Sequence, residues 1–271
     1  MASKDSPIVD ITHTDSEIND DIARTVNSLN ETLNCSVNWC NKTKPFVGLA
    51  SFPRSGNTWV RHLLELATGI YTGSLYNAIG LYRAGFIGEY DDPELRRALV
   101  YKCHGFALTF DSGIILIRNP YDSLISFFTF KTKGIMAKQN ADDFNNNKKW
   151  TDFFSSQYFK WLRIIDKWIS SEKRILILHY EELTQHPMQG LEKILNFLNV
   201  TFTPERRRCV ADDIEGKFHR RNKEAFQFDP YSKEMHVIMD ADIEIANRLL
   251  KSINQTLVHK PSYLSMLSDA E

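Results

Sequence analysis

Three short stretches of this chain carry side chains able to grip an anion or move a proton. The first is Pro53-Arg54-Ser55-Gly56-Asn57-Thr58, which follows the apolar run Phe46–Phe52 and leads into the amphipathic stretch Asn57–Thr68. Strand, tight loop and helix in that order aim free backbone N–H groups at one spot, where the helix dipole favours negative charge. Gly56 permits close backbone approach. Arg54 adds a fixed charge, and Ser55, Asn57 and Thr58 add hydroxyl and amide donors. A plain capped strand-to-helix turn is the competing reading. The second stretch places Arg118 at the end of the apolar run Gly113–Ile117, with Ser126 eight positions on. Arginine offers a planar fork to a phosphate and serine a single donor; a surface ion-pair partner and a helix filler would look the same. The third is Lys102-Cys103-His104, directly after the short apolar stretch Leu99-Val100-Tyr101. A histidine suits proton removal near neutral pH, and a lysine beside it suits a developing negative charge.

The first loop is not that of nucleoside-triphosphate enzymes, which need G-x-x-x-x-G-K-[ST] to hold outer phosphates and Mg²⁺. No Gly-Lys-Ser/Thr occurs here. A small-molecule kinase is therefore the weaker enzyme reading, although Asp111 and Asp122 are available as acidic groups. A non-catalytic nucleotide sensor would keep Arg118 and Ser126 and need no base. No His-Glu-x-x-His or similar pattern is present, so no metal is expected. Cys103 reads as an inert buried thiol.

The elements that must position these groups follow from periodicity. Phe46–Phe52, Leu99–Tyr101, Gly113–Ile117 and Ile175–His179 are short apolar runs that read as buried strands. Trp59, Val60, Leu63, Leu64 and Ala67 have helical spacing, and Gly69 suits that helix's end. Asn119 and Pro120 read as N-cap and first position of a helix carrying Leu124, Ile125, Phe127 and Phe128. Further helices are expected at 150–170, around Leu191–Leu198 and from Thr203-Pro204. Strands alternating with helices imply an α/β fold: a central parallel sheet flanked by helices, in a single domain. Residues 1–44 read as a loosely ordered arm and 45–271 as the domain. The polar stretch 138–149 reads as a surface loop, with a lid over the site as the alternative.

The 271 residues carry 33 basic and 34 acidic side chains, a formal net charge of −1. Nothing global draws the chain to nucleic acid or membrane, so an anion site must be local. No apolar run approaches the roughly 18–20 residues that a bilayer-spanning helix needs. The first twenty residues are polar and acidic, unlike a signal peptide. The chain therefore reads as cytoplasmic, or as lumenal in the Golgi if an anchor lies upstream. Four cysteines (Cys35, Cys40, Cys103, Cys209) form neither a metal pattern nor a dense disulfide framework; whether Cys35 and Cys40 pair in an oxidising lumen or stay free is left open by their spacing. Asn30, Asn34, Asn41, Asn199 and Asn254 each open an N-x-S/T sequon.

Ser51–Trp59 (SFPRSGNTW) resembles the 5′-phosphosulfate loop of sulfotransferases that use 3′-phosphoadenosine 5′-phosphosulfate (PAPS). The longer run FPRSGNTWVRHLLELATGIYTGS is similar to the sulfotransferase domain of WSC-domain-containing proteins. The likeness covers residues 46–225. It implies a P-loop-like sulfotransferase fold, PAPS as co-substrate, and 3′-phosphoadenosine 5′-phosphate (PAP) as product. The family's 3′-phosphate motif, an Arg with a Ser eight positions on, falls on Arg118 and Ser126. Its late Phe-x-Arg-Lys-Gly segment falls on Phe218, Arg220 and Arg221, with Arg221 for Lys and Asn222 for Gly. Trp59 matches an aromatic that stacks on adenine, and Tyr180 one at the adenine edge; core packing stays open for both. Cytosolic members carry Lys-Thr-His where Lys102-Cys103-His104 stands, which implies His104 as base. Arg54 and Lys102 then stabilise charge on the bridging and transferring oxygens. The acceptor is a carbohydrate or a small molecule, contacted from about 71–95 and 132–149. Tyr71, Tyr76, Tyr82 and Phe86 offer a stacking surface there or belong to the core. Oligomeric state is not readable.

Overall fold

The computed structural model describes residues 34–134, 140–145, 148–217 and 228–261. Five strands, β1 Val47–Ser51, β2 Gly73–Ser74, β3 Tyr101–Cys103, β4 Ser112–Ile117 and β5 Arg174–His179, form one sheet in the order β2-β3-β1-β4-β5. Every pairing is parallel. Among the described residues the α-helices are α1 Asn57–Thr68, α2 Ile79–Arg83, α3 Pro120–Lys133, α4 Lys148–Ile169, α5 Tyr180–Gln185, α6 Pro187–Phe197, α7 Pro204–Asp212 and α8 Lys233–Ser252.

Alternate strand residues feed two cores, as the two-residue period requires. Val47, Leu49, Ile114, Leu116 and Leu178 join α1, α5 and α6 on one face. Ala50, Ile115, Ile117 and Ile177 join α3, α4 and α8 on the other. Burial on both faces explains why the strands read as continuous apolar runs. Trp168 of α4 lies directly on the sheet, where a Cβ on Gly113 would stand 2.3 Å from its ring. Only glycine at that position leaves room for the indole.

Several helix ends follow sequence-legible rules. Gly69 closes α1 at φ 66°, its N–H given to the Glu65 carbonyl. Asn119 caps α3 by accepting from the Tyr121 N–H, with Pro120 at the first position. Thr203 caps α7 in the same way. α8 was not among the expected helices. It packs Met235, Met239, Ile243, Ala246 and Leu250 into the core beside α4.

Residues 35–44, read from the sequence as part of a loose arm, are held on the domain. Asn38 pairs with Ile70 in a parallel bridge, and Trp39 packs against Tyr71 and the Arg97 guanidinium. Cys35 is disulfide-bonded to Cys209 of α7, 174 positions away. The Cys35–Cys40 pairing that the sequence left open is therefore not formed. The fold brings α7 rather than the nearby cysteine to Cys35, and Cys40 remains a free thiol. Among the described residues, no helix is long and apolar enough to cross a membrane.

Candidate active site

The loop after β1 stands at the carboxyl ends of the strands, where β1 is flanked by β3 and β4. Open parallel sheets bind ligands at such a place. Arg54 takes φ 67° and Gly56 φ 90°, so the chain turns through two left-handed residues. That conformation is costly for an arginine and concentrates at functional positions. Gly56 is the N-cap of α1 and supplies no side-chain cap, and the first turn holds no acid. The helix N-terminus is thus left open to an external anion. Asn57 fixes the loop to the sheet: its Nδ2 donates to the Leu49 carbonyl (2.8 Å) and to Ser51 Oγ (3.2 Å). Ser55 is fully buried, yet its Oγ has no hydrogen-bond partner among the described residues. Thr58 is partly exposed on the first turn.

Arg118 reaches this loop from the end of β4. Its Nη1 donates to the Arg54 carbonyl at 2.8 Å, while its buried Nε has no partner among the described residues. The guanidinium lies 4.9 Å from the Tyr180 ring centre. The same ring covers Gly56, where an added Cβ would stand 2.7 Å from it. The Arg54 Nε lies 3.4 Å from Ser126 Oγ, and its guanidinium stands over Phe130. Three stretches more than fifty positions apart therefore form one cationic cluster: Arg54, Ser55 and Gly56 with Arg118 and Ser126 and with Tyr180.

Trp59 sits on the helix face below. It is buried among Val60, Leu63 and the α5–α6 side chains, and its indole N–H donates to the Ile214 carbonyl at 2.8 Å. It anchors the segment that leads toward position 218. Phe218, Arg220 and Arg221 lie outside the described residues.

β3 delivers the other group. Lys102 pairs in register with Leu49 and is buried. Burial pushes its ammonium pKa down to about 8; Glu89 opposes the shift and Arg61 adds to it. His104 follows, its Nδ1 2.8 Å from the Ser51 carbonyl. A carbonyl only accepts, so Nδ1 carries the proton and Nε2 keeps a free lone pair. Burial, then the Lys102 charge, pushes the imidazole pKa down to about 4. The ring is therefore neutral at physiological pH. Tyr76 packs against it, with ring centres 5.1 Å apart, and its Oη accepts from the His104 backbone N–H at 2.7 Å. Cys103 is buried, and burial raises its thiol to about 12, so it stays protonated.

Sequence reasoning missed the support beneath Lys102. Arg61 and Glu89 are fully buried and form an ion pair. Arg61 also donates to Thr72 Oγ1 (2.8 Å) and the Thr72 carbonyl (3.2 Å). Glu89 Oε2 accepts from the Ala78 N–H at 3.2 Å. This pair ties the loop-bearing helix α1 to residues 72–89, which carry Tyr76. The available signal was an arginine inside the apolar stretch of α1, and only a distant carboxylate makes it readable. Asp111, a candidate acid for a kinase, instead accepts from the Phe46 N–H at the opposite end of the sheet.

A match to the family described as Sulfotransferase domain spans residues 112–249. A WSCD family member of Aedes aegypti is 32% identical over 204 residues, covering 73% of this chain and 63% of that protein. One of Drosophila melanogaster is 33% identical over 207 residues, covering 74% and 62%. The chain thus spans just under two thirds of the length of these relatives. Among solved structures, a mouse sulfotransferase complexed with PAP is similar at 14% identity and TM-score 0.48, over 79% of this chain and 90% of that one. With a match over half of its length, on a parallel sheet that carries the loop and arginines just described, the chain belongs to the sulfotransferase domain family.

Proposed function

We propose that this chain transfers a sulfuryl group from PAPS to a hydroxyl of a carbohydrate or small molecule, with His104 as base. The observation that carries the reading is a pair of buried, unpartnered donors, Ser55 Oγ and Arg118 Nε, beside an uncapped helix N-terminus. Buried donors are normally satisfied, and the phosphate groups of a bound nucleotide would satisfy these. The residues fit a doubly phosphorylated nucleotide. Ser55, Gly56, Asn57, Thr58 and Arg54 hold the 5′ side; Arg118 and Ser126 hold the 3′-phosphate. Tyr180 and Trp59 wall the adenine, and Phe218, Arg220 and Arg221 complete the 3′ side.

Bound PAPS supplies the sulfuryl group and a phosphate leaving group. His104 Nε2 takes the proton that the acceptor hydroxyl loses as its oxygen bonds to sulfur. The Ser51 carbonyl holds the other ring nitrogen as donor. Lys102 faces the charge on the transferring oxygens, and Arg54 the charge left on the bridging oxygen. A loose, in-line transfer of this kind asks the protein for position and charge rather than covalent chemistry.

Exchange of His104 for alanine tests the reading. Transfer from labelled PAPS should fall by about 10²–10⁴-fold, the usual worth of a general base, while PAP binds as before. Unchanged turnover would remove His104 from the mechanism.

A further inference from the structure

Two features unused by the transfer reaction point the same way. The first is the Cys35–Cys209 disulfide, with its Cα atoms 5.6 Å apart. It fastens the segment before β1 to α7, and such cross-links persist in oxidising compartments. The second is the placement of the sequons. In the unit from Cys35 onward, the sequon asparagines are Asn41, Asn199 and Asn254. All three are exposed, and so are the paired hydroxyl residues Thr43, Thr201 and Thr256. None lies inside a helix or strand. Asn199 and Asn254 occupy left-handed turn positions (φ 53° and 54°), each two positions past the end of α6 and α8. A glycan attached at such a position projects into solvent without displacing any buried group, which is what a used sequon on a surface loop requires of the folded chain.

Two of the sites stand away from the reaction. The Cys40 N–H, next to Asn41, donates to the Arg97 carbonyl just before β3 begins. Arg174, the first residue of β5, donates to the Phe197 carbonyl two positions before Asn199. Both sites therefore lie at the amino ends of the strands, across the sheet from Arg54 and His104. A bulky, hydrated glycan there leaves the nucleotide loop clear.

We propose that Asn41, Asn199 and Asn254 are N-glycosylation sites and that the chain matures in an oxidising lumen with Cys35 and Cys209 cross-linked. This departs from the cytoplasmic expectation of the sequence and does not rest on the sulfuryl-transfer reading. At each site the asparagine Nδ2 bonds to the anomeric carbon of a lipid-diphosphate-linked oligosaccharide. The bond from that carbon to the diphosphate oxygen breaks, and the amide loses a proton. At the cysteines two thiols give up two protons and two electrons to a disulfide-bearing oxidant.

The test uses protein purified from the cells that make it, with thiols alkylated at lysis. Digests are compared with and without peptide-N-glycosidase F in ¹⁸O water. Expected are ¹⁸O-labelled aspartates at positions 41, 199 and 254 only after glycosidase, alkylated Cys40 and Cys103, and a Cys35–Cys209 peptide pair that separates on reduction. Unmodified asparagines at all three sites, or Cys35 and Cys209 recovered alkylated, would overturn the proposal. Sulfuryl transfer by an Asn41→Gln, Asn199→Gln double variant should match the parent, which separates this outcome from any failure of the catalytic reading.

Discussion

Replacement of Arg118 by alanine separates a nucleotide site from a structural ion cluster. Arg118 is buried, gives one N–H to the Arg54 carbonyl at 2.8 Å and leaves its Nε without a partner among the described residues. A phosphate near 4 Å from a guanidinium gains about 4 kcal/mol per unit charge at an effective dielectric constant of about 20. Water entering the emptied space returns part of that, so a net loss of about 3 kcal/mol, roughly 150-fold in affinity, is expected. The bond to the Arg54 carbonyl is lost whatever ligand is present, and one ordinary hydrogen bond is worth at most about tenfold. Titration calorimetry with PAP and with adenosine 5′-phosphate isolates the 3′-phosphate. The variant should lose roughly 150-fold for PAP and under about tenfold for the other. A thermal melt with and without PAP checks that the variant is folded. Equal losses for both nucleotides would refute the 3′-phosphate assignment.

Other outcomes follow from the same geometry. The profile of kcat/KM against pH should be a bell. Its acid limb lies near 4, below which His104 is protonated and no longer a base, and its alkaline limb near 8, above which Lys102 loses its charge. Bound nucleotide adds negative charge, which favours the protonated form of both groups, so both kcat limbs should move up; limbs unmoved by Lys102→Met would remove the lysine. Because the folded His104 pKa lies below its usual 6.5, the unfolded chain binds more protons in between, and stability should fall as pH drops from 6.5 toward 4. A smaller pH dependence in His104→Asn checks the cause. Gly56→Ala puts a methyl 2.7 Å from the Tyr180 ring at φ 90°. It should weaken PAP even at temperatures where the variant is fully folded, and unchanged affinity there would clear the loop of a binding role. Glu89→Ala leaves Arg61 charged and buried with its bonds to Thr72 but without its carboxylate partner. A loss of about 3–5 kcal/mol in denaturant titration is expected, with Arg61→Met restoring part of it.

Most of the sheet was legible because both its faces are buried. The runs ending at Ser51, Ile117 and His179 are nearly free of charge, which singles them out. The loop and its helix were readable for a local reason: Gly56 and Gly69 mark the ends, and apolar residues fill one face between them. What escaped depends on distant partners. β2 is only Gly73-Ser74, a strand because it pairs with β3 and because the Tyr101 ring fills the space beside Gly73. Arg61 and Glu89 each look like surface charges until the fold sets them against one another. The partner of Cys35 comes from 174 positions on, so the nearer Cys40 was the visible choice. Met235, Met239, Ile243, Ala246 and Leu250 do keep helical spacing, a signal present in the sequence but diluted by polar residues between them.

The most direct measurement is the melting temperature of the purified chain with PAP. At a ligand concentration 100 times the dissociation constant, binding adds about 2.7 kcal/mol, a rise of about 5–10 °C for a domain of this size. That rise is expected with PAP and not with ATP and Mg²⁺, which lack the 3′-phosphate. No rise with PAP at millimolar concentration, or an equal rise with ATP and Mg²⁺, would contradict a site built around Arg54 and Arg118 for a 3′-phosphorylated nucleotide.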